Sequence, residues 1–91
     1  HFNAQQATTW EGKTTDLSKK ETMHIQHHFD TTHEVVTREK ILQVVWGYNV
    51  FTATRTIDNF ILNFRKYFEK DSRSPLYFHS VRGVGYKFTE V

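Results

Sequence analysis

The stretch that decides the fold is "RTIDNFILNFRKYFEK", residues 55–70. Ile57, Phe60, Ile61, Phe64 and Phe68 recur at the i, i+3, i+4, i+7, i+11 spacing of a core-facing stripe, so the segment reads as a helix with one apolar side. The opposite side carries Arg55, Asn59, Leu62, Asn63, Lys66 and Lys70: positive charge, two carboxamides and one leucine directed at water. Such a face is either merely solvated or meets an anionic partner, and the segments around it decide between the two.

Just upstream, Thr37 is a candidate N-cap for a helix from Arg38 to about Trp46 that buries Ile41, Leu42 and Val45 and stops at Gly47. Further upstream, Ser18 followed three residues later by Glu21 is a capping box, because hydroxyl and carboxylate each satisfy one orphan backbone N–H. It opens a helix from about Lys19 to Asp30. "TTHEVV" (31–36) reads as a loop, as does "YNVFTAT" (48–54), with Trp46 and Phe51 tucking toward the core. The Thr-rich opening, with a Glu11-Gly12 turn signal, predicts short antiparallel strands. Downstream, "DSRSP" (71–75) breaks the helix, and "LYFHSVRGVGYKFTEV" (76–91) reads as a terminal hairpin in which Gly83 and Gly85 supply positive φ.

Composition narrows the function. Ninety-one residues form one domain, 1–91, too small to enclose a large active site, so binding at an outer surface is the expectation. Net charge is only +2, and an anionic partner must therefore be met by a local patch. The absence of cysteine removes disulfides, thiolate metal sites and Cys nucleophiles, and suits a cytoplasmic setting. No apolar run is long enough to span a bilayer. His1-Phe2-Asn3 is neither a signal peptide nor a start methionine, so a preceding segment is expected. No nucleophile, base and orienting group come together, and neither an enzyme nor a cofactor is expected.

Short strands, three helices and a hairpin make the α+β winged helix-turn-helix plan, whose third helix enters a DNA major groove while the hairpin reaches neighbouring phosphates or the minor groove. In this order and spacing, "LSKKE" (17–21), "VVTREKILQVVWG" (35–47), "RTIDNFILNFRKYFE" (55–69) and "HSVRGVGYKF" (79–88) resemble the C-terminal DNA-binding domain of OmpR/PhoB-type response regulators. The resemblance implies a sequence-specific transcription regulator of a two-component system. It also implies an upstream receiver domain, a dimer on direct-repeat DNA that is monomeric in isolation, and a contact to RNA polymerase, commonly its sigma subunit, through Tyr48, Asn49, Val50, Phe51 and Thr52.

On this plan Asn59 and Asn63 can pair with adenine edges, Leu62 can pack on a thymine methyl, and Lys66 lies with them on the base-reading face. Arg55, Thr56 and Arg65 are placed to hold the DNA backbone, with Trp46 beside them. The resemblance makes Ser80 a phosphate contact and Arg82 a wing contact, flanked by Lys87. It also implies arginine at position 63 and lysine or a similar residue at 67, where this chain has Asn63 and Tyr67. Two rival readings accompany this one. A winged helix used for protein contact would suit the low charge. A small metal-binding module would use His24 and His28 at i, i+4, with His33 approaching from the loop. The resemblance places apolar residues at 24 and 28, so these imidazoles are expected to border the core with depressed pKa values.

Overall fold

The computed structural model describes residues 2–3, 5–47 and 53–90. Among them, β1 (Phe2–Asn3), β2 (Gln6–Thr8) and β3 (Thr14–Asp16) form an antiparallel sheet in chain order, with Gly12 at φ +82° in the turn between β2 and β3. The expected capping box opens α1 (Lys19–Asp30): Ser18 Oγ accepts from the Glu21 N–H at 3.1 Å, and the Glu21 carboxylate accepts from the Ser18 N–H at 2.9 Å. Thr37 caps α2 (Arg38–Trp46) by accepting from the Lys40 N–H, and Gly47 ends it at φ +96°. Ile41 and Val45 are buried as expected, whereas Leu42 is only partly covered at the core edge.

The decisive stretch forms α3 (Arg55–Phe68). Ile57, Ile61 and Phe64 are fully buried, and Phe60 and Phe68 pack along the margins of the stripe. Each fully buried side chain of this size contributes about 2–3 kcal/mol relative to exposure, so the helix is held mainly by its apolar face. It ends two residues before the expected Lys70, because Glu69 leaves with extended backbone and turns inward until only 2% exposed. Its carboxylate accepts the backbone N–H of Leu76 (2.8 Å), Tyr77 (3.0 Å) and Phe78 (2.9 Å), which fixes the path of the chain into the wing.

That wing contains the expected hairpin, β5 (Phe78–Val81) and β6 (Gly85–Phe88), but it is a three-stranded sheet. The end of "TTHEVV" is not loop: β4 (Val35–Thr37) pairs antiparallel with β6, giving the order β4-β6-β5. A three-residue strand whose partner lies fifty positions away has no local signature beyond one buried valine, Val36, between exposed neighbours. The pairing also corrects the role of Gly85. Gly83 has the positive φ, +76°, whereas Gly85 does not; a Cβ on Gly85 would lie 2.0 Å from the Val36 carbonyl oxygen. Glycine there permits the close approach of β4.

Candidate nucleic-acid interface

Along α3, the side chains of Asn59, Leu62, Asn63 and Lys66 are exposed, Leu62 at 61%, as is Arg55 at the start, while Thr56 is half-buried. A leucine this exposed on a helix with a well-filled apolar stripe has no role in the core. On the wing, Ser80 and Arg82 are exposed, Lys87 is half-buried, and Val84 projects beside Arg82 at the turn. The two elements are tied together by Arg65. Its Nε and Nη2 donate to the Phe78 carbonyl at 3.1 and 2.9 Å, and Nη2 also donates to Ser80 Oγ at 2.8 Å. Arg65 and Ser80, expected as separate backbone contacts, are therefore partners of one another and hold the wing along the flank of α3.

Trp46 lies at the core margin, its ring 5.2 Å from that of Phe60 and under the Lys20 ammonium at 5.5 Å; the same Lys20 donates to the Val45 carbonyl near the end of α2. Tyr48, Asn49, Val50, Phe51 and Thr52, the expected polymerase-contact loop, lie outside the described residues.

A second polar tie was not foreseen. Asp58 Oδ1 accepts from Arg38 Nε at 2.7 Å and from the Tyr86 hydroxyl at 2.5 Å, joining α3 to the first turn of α2 and to β6. The Arg38 guanidinium also lies 5.3 Å over the Tyr86 ring. Burial acts to raise the Asp58 pKa, but the hydrogen bonds from Tyr86 and Arg38 and the charges of Arg38 and Arg55 outweigh it and hold the carboxyl below its ordinary value. The hydrogen bond that Arg38 donates to Asp58, together with the charge of that carboxylate, raises Arg38. Burial, then the bond to Asp58, raises Tyr86. One signal was available in the sequence: an acid in the first turn of an otherwise basic helix face, favourable to the helix dipole yet unhelpful toward phosphate.

The histidines of α1 are more enclosed than expected. His24 and His28 are 0% and 1% exposed, with Nε2 atoms 3.0 Å apart, so one ring donates to the other. Phe60, Phe64, Phe78 and Phe88 surround them, with ring centroids 4.9 to 6.5 Å from one or other imidazole. His33, the third ligand in the rival metal-binding reading, is exposed at φ +69°, and among the described residues no three His, Cys, Asp or Glu side chains converge to hold a metal ion. The pair belongs to the core.

With this geometry established, the comparisons with known proteins are specific. Residues 12–88 match the family described as "Transcriptional regulatory protein, C terminal", and the chain belongs to that family. It is similar to the response regulator DrrB of Thermotoga maritima, an OmpR/PhoB homologue, at 36% identity and a TM-score of 0.76, over 88% of this chain and 36% of that one. The chain thus spans about a third of that relative's length. The DNA-binding domain of the response regulator AdeR, solved in complex with an intercistronic region, is 25% identical with a TM-score of 0.69, covering 89% of this chain and 82% of that one. The Bacillus subtilis CssR DNA-binding domain shares the fold, with a TM-score of 0.73 at 23% identity over 91% of this chain and 89% of that one.

Proposed function

We propose that the chain is the sequence-specific, double-stranded-DNA-binding output domain of a bacterial two-component response regulator, controlling transcription in the cytoplasm. The observation that carries this reading is the Arg65–Ser80 hydrogen bond, which sets the wing beside the exposed face of α3. Asn59, Asn63, Leu62 and Lys66 are the base-reading candidates: carboxamides suit adenine edges, and leucine suits a thymine methyl. Arg55, Thr56, Ser80, Arg82 and Lys87, with Trp46 at the margin, form the positioning set on backbone and minor groove. Kinship with AdeR, whose DNA-binding domain is solved in complex with an intercistronic region, supports the same partner.

Similarity to response regulators such as DrrB supports a wider assembly of the following kind. A receiver domain precedes this one in the full protein, two copies bind direct repeats, and residues 48–52 reach RNA polymerase. Among the described residues no helix is long and apolar enough to cross a membrane.

The test is fluorescence anisotropy of the 91-residue chain on duplexes it selects from a random-sequence pool, repeated across a salt series. DNA binding releases counterions, so log K falls linearly with log salt, by about 0.9 for each phosphate neutralised. Failure to select any duplex, with binding indifferent to salt, would overturn the reading in favour of a protein-contact winged helix.

A further inference from the structure

Apolar packing alone cannot set the angle between α3 and the wing, because it is strong but non-directional. The stripe of Ile57, Ile61 and Phe64 seats α3 on the core without fixing where the wing stands relative to its exposed face. Directional bonds must do so, and two link α3 to the wing: Asp58 accepts from Tyr86 on β6, and Arg65 donates to Phe78 and Ser80 on β5. Positions 58 and 65 are close to two helical turns apart and therefore lie one above the other on the same flank. Two ties on one flank set both the height and the rotation of the helix against the sheet β4-β6-β5.

The two ties are not equivalent. Arg65 grips a backbone carbonyl and an exposed hydroxyl of the outer strand. Asp58 collects α2, α3 and the central strand at one carboxylate oxygen, through a tyrosine that is 5% exposed. Its negative charge opposes any direct approach to phosphate, yet its location beside Asn59 and Leu62 makes its geometry theirs.

We propose that Asp58 is a positioning residue for sequence readout: by holding Arg38 and Tyr86 together it sets α3 against the wing, and it governs discrimination between duplexes without touching DNA. The inference rests on the DNA-binding reading above. It separates two quantities that usually move together, affinity for any duplex, which comes from the basic side chains, and preference for one duplex, which requires α3 and the wing to engage at once.

The experiment compares the wild-type chain with Asp58→Asn, Tyr86→Phe and the double variant, on the wild-type-selected duplex and on a random duplex, each across a salt series. Tyr86→Phe removes one oxygen and keeps the buried ring, and circular dichroism verifies the fold. Each single variant is expected to lower the selected-to-random affinity ratio about 10-fold, comparable to losing one good base contact. Random-duplex affinity should be held or slightly raised, with the salt slope unchanged. The double variant should lose no more than the worse single, because the bond that Tyr86→Phe removes is one of the two that Asp58→Asn already disturbs.

Additive losses would overturn the proposal. So would an unchanged ratio with a lowered melting temperature, which marks a brace only, or a Tyr86→Phe variant weakened equally on both duplexes, which marks a direct phosphate contact. A wild-type chain without preference for any duplex would fail at the earlier step, removing the DNA-binding reading and this inference together. A wild type that discriminates alongside variants that discriminate equally well removes this inference alone.

Discussion

His24 and His28 share one hydrogen bond inside a ring of phenylalanines, and each has a buried Nδ1 without a partner among the described residues. Burial first, then the charge of neighbouring histidines, pushes His24 from 6.5 to about 2 and His28 to about 4. The folded state therefore favours the neutral rings, and protons bind the unfolded chain more readily. The stabilising contribution is complete above the unfolded value of 6.5 and is lost as pH falls below it toward the folded values. Between about pH 8 and about pH 5, urea denaturation should show a loss of roughly 2 kcal/mol for each imidazole. The double substitution His24→Leu and His28→Leu should flatten that dependence. It should also stabilise the domain at about pH 8 by about 1–3 kcal/mol, since the accepting ring must carry its proton on an unpartnered Nδ1. An acid-insensitive midpoint in the wild type would place the rings in water. Residue 63 offers a second experiment. Asn63→Arg should tighten binding to all duplexes and move the selected consensus toward guanine, because arginine pairs with O6 and N7 of that base. Recovery of one consensus by both proteins would show that position 63 reads nothing.

At the scale of elements, the connections into the wing rest on residues whose type alone does not reveal their work. Glu69 follows a helix C-terminus, where a carboxylate opposes the dipole, and that mismatch was the legible hint that it turns inward. Glu69→Ala leaves three backbone N–H groups without their acceptor and should cost on the order of 3 kcal/mol in equilibrium denaturation. A loss below about 0.5 kcal/mol, the scale of an ordinary surface substitution, would mean that water replaces the carboxylate readily. The two wing glycines should separate cleanly in the same assay. Gly83→Ala meets open space and bears only the strain of positive φ, about 1–2 kcal/mol. Gly85→Ala drives a methyl into the backbone of β4 and should cost more than any single cavity or cap in the domain, or prevent folding. Equal effects at the two positions would contradict the pairing of β4 with β6. The helices were legible because capping chemistry and the 3.6-residue period are local. β4 and the Asp58 tie were not, because both are made by residues 20 to 52 positions apart whose identities suit many other environments.

For the whole molecule, a net charge of +2 means that affinity must come from a few well-placed cations. Arg55 is exposed at the start of α3, and Arg55→Ala should weaken binding to every duplex alike and reduce the salt slope by about one. A changed consensus with an unchanged slope would instead make Arg55 a base reader. The candidate surface was legible in outline, since the polar side of the 55–70 helix is defined by subtraction of its apolar stripe. Its rigidity was not, because nothing in the sequence pairs Arg65 with the carbonyl of Phe78. One feature of the topology reaches beyond the finished fold. β6 is central in its sheet yet the last in sequence of the six strands among the described residues, so β4 and β5 have no mutual ladder to form while they wait. During synthesis on a ribosome, α1, α2 and α3 can emerge and coil early, but the sheet cannot zip until the final strand is released. Until then Val36, Phe78 and the aromatic wall around the two imidazoles stay open to water, the long-range pairing arrives last, and the nascent domain depends on speed of closure or on a chaperone to avoid sticking to its neighbours.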